Sequence, residues 1–375
     1  MVNESYFNER WVLYVINNGL LNSLFSNIDV FSLKKDILSY FKIDLSKISL
    51  VEYECMKLDF KLVLQGMEII LKKESHLSFL LKQYGINYSI IKSLKIDLEN
   101  RYKLIEENSY NLNEYVYKKQ ERFLNREEEI ERMETILTQF KKSNLIIIGE
   151  AGVGKTTLVE ILAKKINKNS CKSKLKNKNI RVLEIGRLLE GTKYRGEWEE
   201  KIISILDYIK FSKEIIFIDE IHTILNAGNV EGGISAGNIL KPYLARGDIQ
   251  IIGATTAQEY KKYIETDTAL ARRFQLLYLD ELTVEDMKKN IETFTSPYES
   301  FHNVKYEKNS INNCIEILHK YLPERKFPDK LLDLIDYSGA KYCDTKKNIS
   351  DKELKEVLEC KINDFKKSRI EVEKG

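Results

Sequence analysis

Two short stretches of this 375-residue chain hold residue types at spacings suited to phosphate chemistry. The first runs Gly149, Glu150, Ala151, Gly152, Val153, Gly154, Lys155, Thr156, Thr157, with four residues between Gly149 and a Gly-Lys-Thr triplet. Glycines at this spacing let backbone N–H groups converge on phosphate oxygens. Lys155 then neutralises β and γ phosphates, and the Thr156 hydroxyl can bind Mg²⁺. The second stretch, "IIFIDE", ends in Asp219 and Glu220. Asp219 suits the Mg²⁺ shell, and Glu220 suits the polarisation of a water for attack on a γ-phosphate. Further along, "IIGATT" places Thr256 where a hydroxyl could meet that water or phosphate. "TALARRFQ" carries the adjacent pair Arg272 and Arg273, cations that could stabilise transition-state charge, including at a neighbouring subunit's site.

These residues need elements to hold them. The runs "NLIIIG", "RVLEIG", "EIIFIDE", "IQIIGATT" and "QLLYLD" are short, apolar and rich in β-branched residues, and helical patterns separate them. Apolar runs without polar alternation suit strands covered on both faces, so the expectation is an α/β domain with a five-stranded parallel sheet and flanking helices. "TTLVEILAKKI" would start a helix directly after the glycine loop and aim its N-terminal dipole at the phosphate. The lysine-rich connector at 164–179 reads as solvated surface. Residues 1–110 carry helical stripes and no chemical motif. Residues 282–375 return to amphipathic helices in "NSINNCIEILHKYL", "FPDKLLDLIDYSG" and "ISDKELKEVLECKINDF". Three regions follow: 1–110 helical, 111–281 α/β, 282–375 a smaller helical domain.

Sixty basic against fifty-seven acidic residues leave a net charge of +3, which gives no support to nucleic-acid binding by bulk charge. The five cysteines (Cys55, Cys171, Cys314, Cys343, Cys360) lack the short spacing of a zinc or redox pair. No window reaches the roughly 18 apolar residues that span a bilayer. The expectation is a protein with reduced thiols in the cytoplasm or an equivalent compartment such as an organelle stroma, with no membrane partner.

In order along the chain, "GEAGVGKTTLVEILA", "LLEGTKYRGEWEEKI", the long run from "FIDEIHTILNAGNVEGG" to "DTALARRFQ", and "FPDKLLDLID" resemble the first ATPase module of the Clp family of AAA+ protein unfoldases. The likeness covers about residues 121–365. It implies an AAA+ fold with a helical lid, ATP and Mg²⁺ as cofactors, and Lys155, Thr156, Asp219 and Glu220 as the paired nucleotide motifs. It also makes Thr256 the sensor and Arg272 and Arg273 the fingers that reach an adjacent protomer. Leu124 and Asn125 fall in the segment beside adenine, with Asn125 where the family has glycine, and Pro328 lies at the lid edge that closes on the base. Lys193, Tyr194 and Arg195 match the pore loop, Tyr194 being the aromatic that grips an extended polypeptide.

The resemblance implies a homo- or hetero-oligomeric ring, a hexamer, that threads or remodels polypeptide, with a second Clp ATPase subunit as a possible partner. The family's coiled-coil arm, second module and peptidase-docking loop have no counterpart in these residues, so arm-driven disaggregation and peptidase docking are not implied. The competing reading keeps the ATP site but discards translocation, giving a nucleotide-switched regulatory or assembly ATPase that binds partners through residues 1–110. DNA remodelling is a third class, without a DNA-reading element to support it.

Overall fold

A computed structural model describes residues 7–17, 21, 24, 25, 28–43, 60–118, 126–190, 195–226 and 236–372. The chain divides into two compact units, residues 1–107 with 200–213, and residues 108–199 with 214–375.

The first unit is helical, as the apolar spacing leads one to expect. Helices span Phe7–Asn17, Val30–Tyr40, Phe60–Lys72, His76–Gln83 and Tyr88–Asn108. Trp11 and Val15, Leu33 and Ile37, Leu64 and Met67, and Leu77 and Leu81 recur at three- and four-residue intervals and belong to its buried core. Ser75 and Ser78 close a reciprocal cap at the start of the fourth helix. Arg101 reaches Asp207 of the helix Arg195–Ser212 at 3.2 Å.

The second unit is built on a six-stranded sheet. Its strands are β1 (Ser109–Asn111), β2 (Asn144–Ile148), β3 (Ile180–Leu183), β4 (Ile215–Ile218), β5 (Gln250–Thr255) and β6 (Phe274–Tyr278), in the order β1-β3-β4-β5-β2-β6. All five predicted runs form strands and pair in parallel, as apolar runs without polar alternation lead one to expect. Every residue of β2, β3 and β4 is buried. The sixth strand, β1, pairs antiparallel with β3 through Ser109↔Leu183 and Asn111↔Arg181, so the sheet is mixed at this border. Buried polar groups set the strand starts: Ile251 N–H donates to Asn144 Oδ1 at 2.9 Å, and Arg181 Nε donates to Glu214 at 2.8 Å.

After Tyr278 the chain becomes helical again, with helices Val284–Lys289, Ile291–His302, Lys308–Tyr321, Asp329–Tyr342 and Asp351–Val372, and a small parallel pair, β7 (Lys305–Tyr306) with β8 (Asn348–Ile349). Ile311, Ile315, Leu318, Leu331, Leu334, Ile335 and Leu354 pack its separate core. Glu281 joins this region to the strand before it, accepting from Phe327 N–H at 2.8 Å and lying 3.2 Å from the buried Lys330 ammonium. Burial works against the Glu281 charge, but those donors outweigh it and hold the carboxyl below its usual range.

Candidate active site

Parallel pairing puts the carboxyl ends of β2, β4 and β5 on one edge of the sheet, where ligands of open α/β sheets bind. Gly149 follows β2, Asp219 follows β4, and Thr256 follows β5. The glycine loop joins β2 to the helix Lys155–Asn167, and Gly152 and Gly154 take positive φ values of 83° and 96° that L side chains seldom adopt. Gly149 N–H donates to Thr255 O at 3.2 Å, fixing the loop's first residue to β5. Val153 is buried as the loop's apolar anchor, Glu150 and Ala151 are exposed, and Thr157 is half-buried in the first helical turn. The Lys155 ammonium spans the loop, donating to Gly149 O at 2.8 Å and Glu150 O at 3.0 Å.

Thr156 Oγ1 donates to Asp219 Oδ2 at 2.8 Å, so the two residues predicted to hold Mg²⁺ meet directly. One hydroxyl and one carboxylate form the sparse oxygen set that Mg²⁺ takes when phosphates and water complete its octahedron. Among the described residues there is no cluster of three or more His, Cys, Asp or Glu that would form an all-protein cage. The residues therefore fit a Mg²⁺-nucleotide. Glu220 is exposed and has φ 48°, a left-handed backbone uncommon for a non-glycine residue, and its N–H donates to Asp219 Oδ1 at 3.0 Å. This kink ends β4 and starts the helix Ile221–Asn226.

At the end of β5 the polar contacts converge on Glu259. Its Oε2 accepts from Thr255 Oγ1 at 3.0 Å, Thr256 N–H at 3.0 Å and Thr256 Oγ1 at 2.9 Å, and lies 3.3 Å from His222 Nδ1. His222 Nδ1 is also 3.1 Å from Thr255 Oγ1, and its ring stacks on Tyr263. Burial would raise the Glu259 pKa; the donors from Thr256 and Thr255 prevail and keep it below the usual carboxylate value.

Arg272 and Arg273 are exposed, in the turn before β6 that Asp267 caps by accepting from Leu270 N–H. They lie at the other edge of the sheet. The register pairs Phe274 with Asn144 and Tyr278 with Ile148, so Arg273 stands beside the start of β2 while the glycine loop follows its end. The five residues of β2 separate the two, about 17 Å.

Pro328 is half-buried at the start of the helix Asp329–Tyr342. The adjacent Asp329 packs on the glycine loop so closely that a Cβ on Gly152 would lie 2.7 Å from Asp329 Cβ. Leu124, Asn125, Lys193 and Tyr194 lie outside the described residues. Arg195 begins a helix, and its side chain lies outside them too. Glu259 and His222 escaped the sequence reading, and Asp329 entered it only within the lid-edge stretch Pro328 to Lys330, without its contact on Gly152. Thr256-x-x-Glu259 has the spacing of a helix capping box and could have revealed Glu259. Nothing local marks His222, which reaches the site through packing.

A phosphate loop after β2, a carboxylate pair at the end of β4, a polar β5 terminus and a helical lid together define a P-loop nucleotide-binding module with a lid. Residues 145–280 match the ATPase family associated with various cellular activities (AAA), and residues 283–374 match the AAA lid domain. The negative regulator of genetic competence ClpC/MecB of Bacillus subtilis is 43% identical over 219 residues, 58% of this chain and 27% of that protein. The chaperone protein ClpB of Clostridium perfringens is 42% identical over 247 residues, 65% of this chain and 28% of the relative. The Saccharomyces cerevisiae Hsp104-ADP complex matches with a TM-score of 0.62 and 33% identity, over 68% of this chain and 44% of that one. A closed-state reconstruction of Hsp104 with ATPγS and FITC-casein gives a TM-score of 0.63 at 33% identity, over 68% and 45%. The chain belongs to the Clp family of AAA+ ATPases, and it spans under a third of the length of these curated relatives. Among the described residues no helix is long and apolar enough to cross a membrane.

Proposed function

We propose that this chain hydrolyses ATP at the seams of a ring of like subunits and uses the reaction to pull or remodel polypeptide. The observation that carries this reading is the separation of the arginine pair from its own glycine loop. Arg272 and Arg273 are exposed at the opposite strand ends, so they serve a neighbouring copy's nucleotide. Within one subunit the loop N–H groups and Lys155 bind the phosphates, and Thr156 with Asp219 holds Mg²⁺. Bound there, Mg²⁺ neutralises charge on the β and γ phosphates. Glu220 takes up the proton of the attacking water, and Thr256 orients that water. Pro328 lies at the lid edge that closes on the base, with Leu124 and Asn125 beside adenine. Tyr194, flanked by Lys193 and Arg195, grips the substrate by ring contact that is indifferent to sequence.

The domain assignment is residues 1–110 for docking, 111–281 for ATP hydrolysis and 282–375 for the lid. The compartment is the cytoplasm or another reducing space. Hsp104 bound to casein supports a polypeptide as substrate.

Glu220→Gln and Tyr194→Ala test the reading through ATP turnover and through the unfolding of fluorescein-labelled casein. Glu220→Gln keeps nucleotide and slows turnover by about 10²–10⁴-fold, the usual contribution of a positioned base. Tyr194→Ala keeps turnover and loses remodelling. Remodelling at the wild-type rate by Tyr194→Ala points instead to the nucleotide switch without translocation.

A further inference from the structure

Three donors from the end of β5 converge on one Glu259 oxygen, more than a helix cap requires. A capping box needs only the exchange between Thr256 and Glu259, which is present. Thr255 and His222 are additional, and they come from the strand and from the helix that follows Glu220. The protons can be followed one at a time. Thr255 gives its hydroxyl proton to Glu259, so its oxygen can only accept, and His222 must face it with Nδ1–H. Thr256 also gives its proton to Glu259, and one of its lone pairs accepts from Glu259 N–H at 3.3 Å. A single acceptor site is left on Thr256.

We propose that Glu259 is a positioning residue that commits the Thr256 hydroxyl to act as an acceptor, so that Thr256 orients the attacking water rather than donating to the γ-phosphate. A water whose proton points at Thr256 turns an oxygen lone pair elsewhere, and Glu220 is the group that takes its other proton. Through His222 the same carboxylate joins the ends of β4 and β5, so the water-activating and water-orienting residues move as one body. This rests on the assignment of Thr256 as the residue that meets the water.

The test is a double-mutant cycle of Thr256→Ala and Glu259→Gln in the full chain, read by kcat, KM and equilibrium binding of a fluorescent ATP analogue. Glu259→Gln replaces the charged acceptor with a neutral amide of the same shape, whose oxygen accepts more weakly and so loosens the hold on the Thr256 proton. The expected result is a fall in kcat of about tenfold with nucleotide affinity unchanged, as for an interaction felt only in the transition state. In the Thr256→Ala background Glu259→Gln has no further effect, because the hydroxyl it controls is gone. Thr256→Ser, which keeps the hydroxyl, retains sensitivity to Glu259→Gln. Full kcat in Thr256→Ala overturns the assignment of Thr256. A slow Thr256→Ala with multiplicative losses in the double variant overturns the role of Glu259 alone. A fall in affinity and melting temperature together with kcat reduces Glu259 to a helix cap, and Glu259→Asp, which shortens the carboxylate but keeps its charge, then separates cap loss from charge loss.

Discussion

Gly152→Ala tests how tightly the lid and the glycine loop are fitted. The native φ of 83° is left-handed, and placing an L residue there costs about 1–2 kcal/mol. The new Cβ also falls 2.7 Å from Asp329 Cβ, well inside van der Waals contact. Asp329 cannot swing away freely, because Arg325 holds it at 2.9 Å and also holds Asp333. Overpacking of this kind costs about 1–3 kcal/mol, which brings the total to about 2–5 kcal/mol. Where the free protein relaxes and the nucleotide-bound loop cannot, the cost falls on binding, and affinity drops by about thirtyfold or more. Where the free protein cannot relax either, the melting temperature falls instead. Anisotropy titration of a fluorescent ATP analogue and thermal unfolding, measured on one preparation, together capture both. Asp329→Gly in the same background removes the contact but not the backbone strain, so it recovers about half of the lost free energy. Wild-type affinity and melting temperature in Gly152→Ala refute the reasoning, as does a double variant that recovers nothing.

Two further outcomes follow from the site and the lid. Arg272→Ala with Arg273→Ala abolishes turnover alone, yet mixing this variant with Glu220→Gln restores part of it, because some seams then pair an intact Glu220 with a neighbour's intact arginines. Absence of recovery in mixtures that co-assemble by light scattering removes the shared site. Acid should loosen the lid through Glu353, whose carboxyl Lys346 and Ser350 hold down at about 2, against 4.5 as its reference value. The folded carboxyl binds its proton less readily than the unfolded one, so its contribution is complete above the reference value and disappears as pH falls towards 2. Glu353→Gln flattens the melting temperature over that window, and an unchanged slope refutes the assignment.

Much of this organisation was legible in the chain because it rests on local signals. "NLIII" and "EIIFI" declare buried parallel strands by lacking polar alternation, and the Gly-Lys-Thr spacing declares the loop between a strand and a helix. Asp219 was readable because it ends such a run. β1 was not, since "SYN" is three residues long with one β-favouring side chain, and its pairing with β3 is a tertiary choice. The clasp around Glu259 was half legible, as a spacing without its His222 and Thr255 partners. The fit of Asp329 on Gly152 was invisible, because residues 177 positions apart meet only once the lid is folded.

β1 has a consequence for conduct among other proteins. Without it, the amides and carbonyls on the outer side of β3 would be open to any extended segment, and a stray chain could add there as a further rung. Three residues suffice to occupy those groups, and the buried Arg181–Glu214 pair anchors the strand beneath them. A machine proposed to handle unfolded chains thus denies them this place to stick, leaving its work to surfaces meant for release.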